Sequence, residues 1–453
     1  MKKVITYGTF DLLHRGHLNI LKRAKELGDY LIVGVTSENY DKERGKLNVQ
    51  QDLMKRIENI KKTGLADKII VEEHEGQKIK DILEYGVDIF AIGSDWRGKF
   101  DYLKEYCNVI YLERTKGVSS TELRIKDNGI LQMGVVGYGR IAGRFIPESK
   151  FVSGVEVKGV YGPDKVKAKK FCLENEIEFS TDNFDDFLEK VNAVYIASPH
   201  LTHHEHIIKS LKKGKHVLCE KPLALERNKA EEAYNLAKEK NLVLLEAIKT
   251  AYSPGFNRLV NMAKSGYIGR ILDVDATFTK LIKNNKREMD KSQAGGSVTE
   301  LASYPLLAII KILGTEYDEL KFNSYFDSDK EVDLFTKINM RYPHGFATGR
   351  VGLGVKSEGD LKISGTEGYI YVPAPWWKTS YFELRFEDSS KNKKVFYKFD
   401  GDGLRYELAE FLKMINNSKE ETYKLRPKES IAITEIIEKF MKDNKIKNSI
   451  TNK

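Results

Sequence analysis

Two histidines three residues apart, His14 and His17, stand in the stretch Tyr7-Gly8-Thr9-Phe10-Asp11-Leu12-Leu13-His14-Arg15-Gly16-His17. Before them, Val4-Ile5-Thr6 reads as a short buried strand. After them, Leu18, Leu21, Ala24 and Leu27 recur at three-residue intervals until Gly28, the pattern of a helix. Both imidazoles are therefore expected to project from a helix's first turn. The unpaired amides of such a turn favour an anion, and each imidazole adds a donor. Gly8 and Gly16 leave room for a phosphate to approach the backbone. The chemistry this suits is in-line attack at the α-phosphorus of a nucleoside triphosphate, where a protein positions groups and neutralises developing charge.

A second constellation begins at residue 131. A strand opening at Leu131 runs into Gly137-Tyr138-Gly139-Arg140-Ile141-Ala142 and then a helical pattern. In that context G-x-G-x-x-A is a dinucleotide fingerprint: Gly137 makes the turn, Gly139 admits the pyrophosphate, and Ala142 allows close helix–strand packing. Arg140 and Ile141 open the helix and join the cofactor-binding candidates. The next strand ends in Tyr161-Gly162-Pro163-Asp164, with no acid at the usual ribose-binding place and no Arg instead, so NAD and NADP both stay open. Later strands lead to Ser198-Pro199-His200-Leu201-Thr202-His203 and to Glu220-Lys221-Pro222. Ser198, Pro199, His203 and Glu220 are expected against the cofactor. Helical spacing puts His203 and His206 on one face, but no carboxylate or Cys completes a metal site there, so no bound metal is expected.

These residues need scaffolds. From residue 2 to about 112, apolar runs (Val4 to Tyr7, Tyr30 to Val35, Lys68 to Val71, Ile89 to Ile92, Val109 to Leu112) alternate with amphipathic stretches such as Asp52 to Lys62 and Ile79 to Tyr85. Strand–helix alternation predicts a parallel sheet with ligands at the carboxyl ends of its strands. His14, Asp95 and Arg114 all follow apolar strands and fall on that rim. Lys46 lies in a polar stretch between strand and helix. Ser119, Ser120 and Thr121 should open a helix whose hydroxyls and amides suit phosphate. Lys126-Asp127-Asn128-Gly129 reads as a boundary. The fold class is α/β: two Rossmann-like parallel-sheet domains, 1–127 and 131–250, then an α+β open-sheet domain, 251–453. In the last, after Val274, the pattern is of alternating strands such as Phe335 to Met340, Phe346 to Val351 and Leu361 to Ser364, with little helix. Two amphipathic helices, about 404–415 and 429–442, close the chain before a frayed end.

The 453 residues predict two to four domains. A net charge of +9 fits small phosphorylated substrates better than nucleic acid, because no Lys/Arg run is dense enough to track a backbone. Cys107, Cys172 and Cys219 lack metal spacing and point to a reducing compartment. No leader is read at Met1-Lys2-Lys3, and no apolar run approaches the ~18–20 residues of a span, so a cytoplasmic enzyme without membrane contact is expected.

The first constellation resembles the H-x-G-H signature of the nucleotidyltransferase superfamily, and the first 126 residues or so resemble glycerol-3-phosphate cytidylyltransferases. Thr9-Phe10-Asp11, His14 and His17 carry the first motif, and Arg114-Thr115-Lys116-Gly117-Val118-Ser119-Ser120-Thr121 the second. Gly93-Ser94-Asp95-Trp96-Arg97-Gly98-Lys99 matches the segment that holds cytosine and ribose; Lys46 and Arg56 fall at phosphate-binding cations. The resemblance implies that His14 and His17 stabilise the α-phosphoryl transition state. It implies that Lys46, Arg114, Thr115, Ser119 and Ser120 hold phosphates, and that Asp11 and Asp95 contact nucleotide or the Mg²⁺ that accompanies CTP.

From about 131 to 445 the chain resembles the glucose–fructose oxidoreductase and inositol dehydrogenase family. Glu220-Lys221-Pro222 carries that likeness, with Lys221 reaching the reacting oxygen. Gly295 to Tyr304 carries it too, with Glu300 where Asp is usual and Tyr304 at the acid/base position. Gly365-Thr366-Glu367-Gly368 and Trp376-Trp377 match the dihydrodiol dehydrogenase-like branch. The Lys221 ammonium beside Tyr304 is expected to lower the phenol's pKa and ready it for proton transfer. The family likeness also implies a homo-oligomer, dimer or higher. Together the halves imply an enzyme that reduces a keto or aldo sugar phosphate to an alditol phosphate and joins it to CMP from CTP, giving a CDP-alditol for cell-surface polysaccharide. Two readings compete: a non-catalytic sugar-phosphate-binding second half, and an adenylyl rather than cytidylyl donor.

Overall fold

Strand β1 (Lys3–Gly8) is buried on both faces. Val4 packs with Leu21, Ala24, Leu31, Val33, Ile60, Ile89 and Ala91 on one side. Ile5 and Tyr7 pack with Ile32, Ile82, Phe90, Ile92 and Leu103 on the other. Two-sided burial is the mark of a parallel sheet sandwiched by helices, and each such side chain contributes about 1.5–3 kcal/mol. The computed structural model describes residues 1–13, 15–113, 130–282, 287–416 and 422–443. His14, Arg114 to Gly129 and the frayed end read at 448–453 lie outside them.

Around β1 stand β2 (Tyr30–Thr36), β3 (Lys68–Glu72), β4 (Ile89–Gly93) and β5 (Asn108–Leu112). Their order is β3-β2-β1-β4-β5, all parallel. The order reverses between β1 and β4, so the crevice at their carboxyl ends is the ligand site of a doubly wound sheet. Helix α1 (Arg15–Lys25) starts three residues before the sequence pattern did, which puts His17 in its first turn. The polar stretch holding Lys46 contains an unread helix, α2 (Glu38–Glu43), capped by Ser37. Helix α3 (Leu53–Thr63) is capped by Asp52 and closed by Gly64, and α4 (Gln77–Tyr85) follows β3.

The second sheet takes β6 (Leu131–Val136), β7 (Val155–Tyr161), β8 (Phe179–Thr181), β9 (Ala193–Ile196), β10 (His216–Glu220) and β11 (Leu244–Ala247). Its order is β11-β10-β9-β6-β7-β8, the dinucleotide-binding order with its reversal at β6. The third sheet adds β12 (Ile271–Thr279), β13 (Glu319–Phe326), β14 (Asp333–Tyr342), β15 (Gly345–Gly352), β16 (Leu361–Gly365), β17 (Gly368–Val372), β18 (Tyr381–Phe386) and β19 (Lys393–Phe396), in the order β13-β14-β15-β12-β16-β17-β18-β19. Its β14, β15 and β16 occupy the three runs read from the sequence. Here the expectation of little helix needs correcting. Ser303–Leu313 is an eleven-residue helix, buried from Ser303 to Ile312. A helix apolar all round has no amphipathic stripe to betray it. Two helices, Leu404–Asn416 and Pro427–Lys442, end the described chain. Contacts gather into two units, Met1–Met133 with Ser149–Lys190, and Gly134–Glu148 with Val191–Lys453. Among the described residues no single helix is long and apolar enough to cross a membrane.

Candidate active sites

At the end of β1 the chain turns through Phe10 (φ 51°) and Leu12 (φ 46°), both left-handed and neither glycine. The buried Phe10 ring meets His17 edge-on at 5.5 Å between centroids. Between them Asp11 accepts the amides of Gln50 and Gln51, each at 2.9 Å, and so fastens the approach to α3. Thr9 donates to Asp41 at 2.9 Å, and Thr36 donates to the same oxygen at 2.8 Å. Arg44 reaches both Thr9 Oγ1 (2.8 Å) and Asp41 (2.9 Å).

Arg56, expected among the phosphate-facing cations, is fully buried. Its Nη1 donates to Thr9 O and Thr36 O at 2.9 Å and to Asp41 Oδ2 at 3.3 Å. Its Nη2 is buried with no hydrogen-bond partner among the described residues and lies 4.0 Å from Glu38 Oε1. Asp41, Arg44 and Arg56 thus tie the ends of β1 and β2 together from beneath. Asp41 and Arg44 were not singled out in the sequence, where α2 reads as a solvated loop. Asp95 follows β4, and Trp96 packs against Phe100 (5.9 Å). Lys99 lies over the Trp96 ring at 4.5 Å. The structure therefore places Thr9, Phe10 and Asp11 after β1, His17 in the first turn of α1, and Asp95 and Trp96 after β4. Of the remaining candidates for this rim, His14, Arg114, Thr115, Ser119 and Ser120 lie outside the described residues.

The second rim starts at Gly137, whose φ of 103° no L side chain adopts readily. A Cβ there would stand 2.8 Å from Ala197 O, so β6 and β9 meet at the reversal with no room to spare. Above Gly139, by contrast, a Cβ would meet nothing within 4 Å. Helix Arg140–Ser149 begins at once, with Ala142 fully buried against the sheet and Ile141 half-buried. A tight turn, an open approach and a helix N-terminus together fit a dinucleotide pyrophosphate. Arg140 is largely exposed, its guanidinium 3.7 Å from Glu288.

His203 was expected to face the cofactor, but it is fully buried and supports the rim from behind. Its Nδ1 lies 2.8 Å from Pro222 O and its Nε2 2.8 Å from Ser198 O, stitching the Ser198-Pro199 turn to the Glu220-Lys221-Pro222 turn. Burial holds its pKa down to about 4, so the ring is neutral and donates to one carbonyl at a time. His206 Nδ1 lies 3.1 Å from Ser198 Oγ.

Lys221 Nζ donates to Glu300 O at 2.8 Å. Glu300's carboxylate receives Arg287 at 2.6 Å and lies 3.6 Å from the buried His200. Gly296 permits this corner: its φ is 124°, and a Cβ would stand 2.4 Å from Asp333 Oδ1. Tyr304, in the first turn of Ser303–Leu313, packs edge-on against Phe278 (4.9 Å), which stacks on Trp377 (3.8 Å). The expected Lys221–Tyr304 effect does not hold. The two side chains share no hydrogen bond, and burial, then the nearby Glu220 charge, push the phenol's pKa up rather than down. Tyr304 therefore keeps its proton. Glu220 accepts from Tyr195 at 2.7 Å, and burial raises its pKa against the opposing pull of Lys221. Near it, Glu407 is wholly buried, neither oxygen has a hydrogen-bond partner among the described residues, and burial raises its pKa well above the ordinary value. No sequence motif marked Glu407, which sits on a late helix far along the chain.

Glu246 supplies a pH test. It accepts the Leu223 amide at 3.0 Å and the Ser430 hydroxyl, and burial raises its pKa to about 7. The folded protein holds this proton to about pH 7, whereas the unfolded chain releases it in the ordinary carboxylate range. Stability from this group is full at low pH and is lost as pH rises between those limits. Glu246→Gln should therefore gain on the wild type between about pH 5 and pH 8, by about 2–3 kcal/mol. Urea unfolding of both proteins across that range checks it; parallel curves would refute it.

A cytidylyltransferase-like family profile matches residues 5–126. Glycerol-3-phosphate cytidylyltransferase of Bacillus spizizenii is 49% identical over 124 residues, which are 27% of this chain and 95% of that protein. The chain belongs to the cytidylyltransferase family. Its second half is a GFO/IDH/MocA oxidoreductase: the oxidoreductase family's NAD-binding Rossmann fold matches 131–247, and the GFO/IDH/MocA C-terminal domain matches 256–371. Pig trans-1,2-dihydrobenzene-1,2-diol dehydrogenase is 26% identical over 323 residues, 69% of this chain and 96% of that one. Among solved structures, KijD10, a 3-ketoreductase from Actinomadura kijaniata in complex with NADP, superposes with a TM-score of 0.62 at 22% identity. It covers 68% of this chain and 96% of its own, a likeness of fold. This cytidylyltransferase–oxidoreductase is thus an enzyme with two chemistries on one polypeptide, and its second half binds NAD(P).

Proposed function

We propose that the oxidoreductase half reduces a keto or aldehyde sugar phosphate to an alditol phosphate, and that the cytidylyltransferase half joins this product to CMP. The observation that carries the reading is the pairing, in one chain, of the His17 rim on β1 with the Lys221–Tyr304 rim on β10 and its neighbours. The bound dinucleotide supplies the hydride. Lys221 holds the carbonyl oxygen, and Tyr304, kept protonated by burial, gives its proton to that oxygen as the hydride reaches carbon. The phenol is restored from solvent.

At the first rim a phosphate oxygen of the alditol phosphate attacks the α-phosphorus of Mg·CTP. The bond to the bridging oxygen breaks, and pyrophosphate leaves. His17, with His14, Lys46, Arg114, Ser119 and Ser120, neutralises charge on the phosphoryl oxygens. Mg²⁺ enters with its nucleotide as part of the substrate. This reading also goes with a cytoplasmic setting, where Cys107, Cys172 and Cys219 stand as free thiols.

Mass spectrometry tests it. The enzyme is mixed with CTP, NADPH or NADH, and a panel of ketose phosphates that includes ribulose 5-phosphate and dihydroxyacetone phosphate. A CDP-alditol should form only when both nucleotides are present. A CDP-ketose formed without nicotinamide oxidation would show that the second half does not catalyse. Product from ATP but not CTP would overturn the cytidylyl assignment.

A further inference from the structure

Two loops carry three of the expected nucleotide contacts: residues 46–48, with Lys46, and residues 94–96, with Asp95 and Trp96. Both are held by one short segment, Lys150-Phe151-Val152-Ser153. Leu47 donates its amide to Phe151 O at 2.6 Å and accepts the Ser153 amide at 2.9 Å, a parallel bridge opposite Val152. Asn48, held left-handed at φ 57°, donates its side-chain amide to Ser153 O at 2.9 Å. Lys46 Nζ donates to Lys150 O at 2.6 Å. The Lys150 ammonium lies 3.1 Å from Asp95 Oδ1. Phe151 meets the Trp96 ring edge-on at 6.4 Å, and Ser94 donates to Glu176 at 2.8 Å.

This segment is foreign to the cytidylyltransferase match, which ends at 126. The Bacillus spizizenii relative has 95% of its length matched over 124 residues, so the like of Lys150 to Ser153 is not among them. The segment belongs to the stretch matched by the oxidoreductase Rossmann fold. Ordinary packing between neighbouring parts would bury apolar area at arbitrary places. Here strand-like backbone bonds, an ion pair and an aromatic contact all converge on the loops of one rim.

We infer that Lys150–Ser153 is a positioning element for the nucleotide site: a strand-like splint, lent by the oxidoreductase sequence, that sets the loops bearing Lys46, Asp95 and Trp96 for CTP. The inference rests on the proposed nucleotide role of those three residues. Holding the loops in their binding shape before CTP arrives removes an ordering cost that binding would otherwise carry. The fused chain should then need this segment for full affinity toward CTP, although the relative it resembles works within its own shorter length.

Calorimetric titration of the full-length enzyme with Mg·CTP tests this. Ser153→Pro deletes the amide that Leu47 accepts. Lys150→Glu places a carboxylate against Asp95 at the surface, where folding is not at risk. Each should weaken CTP binding about tenfold, and Lys150→Arg should restore it. NADPH binding, followed by its fluorescence, should stay at the wild-type value in all three. Lys46→Met serves as the reference. If Lys46→Met weakens CTP binding while Ser153→Pro and Lys150→Glu do not, the splint is refuted and the site stands. If all of these variants bind like the wild type, the nucleotide reading of the rim fails, and the splint with it.

Discussion

His17→Ala should lower cytidylyl transfer about 10²–10³-fold, roughly 3–4 kcal/mol of transition-state stabilisation, while leaving nicotinamide oxidation intact. The argument is positional. His17 sits in the first turn of α1, where backbone amides point outward without intrahelical partners. Its ring is set by the edge of Phe10, which is itself locked in the core beneath the rim. Negative charge that builds on the α-phosphoryl oxygens meets a donor already in place, and alanine removes that donor without disturbing the buried Phe10. Pyrophosphate release and nicotinamide absorbance, read on the same sample, check the outcome. Equal loss of both activities in a folded variant would contradict two independent sites.

Lys221→Ala should do the reverse. Reduction should fall about 10²–10⁴-fold, the range of a lost proton-transfer or oxygen-orienting group, with CMP transfer to a supplied alditol phosphate retained. Lys221 follows a strand buried from Val217 to Glu220. Its ammonium donates to the Glu300 carbonyl at 2.8 Å, and the Glu300 carboxylate meets His200 and the half-buried Arg287. Lys221→Arg separates charge from geometry: the charge persists, but the planar head does not reproduce the point donor. Unchanged cofactor turnover in Lys221→Ala would remove this residue from the chemistry.

Much of the scaffold was legible because its strands bury both faces. Val4-Ile5, Leu31 to Val35 and Ile89 to Ile92 are continuous apolar runs, and each ends where polar or glycine residues begin, at the rim. Gly137 and Gly139 could be read because the turn and the open approach each allow few residue types. What stayed hidden depended on burial, which local pattern does not report. His203 has the spacing of a surface ligand, yet it sits between two carbonyls. Arg56 has the charge of a phosphate binder, yet it is spent on Thr9 O and Thr36 O. Asp41 lay within a run of charges that looks solvated and is instead the hub of that network. Ser303–Leu313 lacked an amphipathic stripe because no side of it meets water. The Tyr304 phenol went the other way from expectation because burial, and then the nearby Glu220 charge, both push its pKa up.

The left-handed Phe10 and Leu12 carry a final implication. Each non-glycine residue in that region costs on the order of 1–3 kcal/mol, a cost met during folding by the anchored Phe10 ring and the amides clamped on Asp11. The stretch Phe10 to Leu12 is consequently held in shape by contacts of the chain itself. Ligand capture at this lip should resemble a key entering a cut lock, with a small entropic penalty, and a softened bend such as Phe10→Gly should bind more slowly and with a larger one.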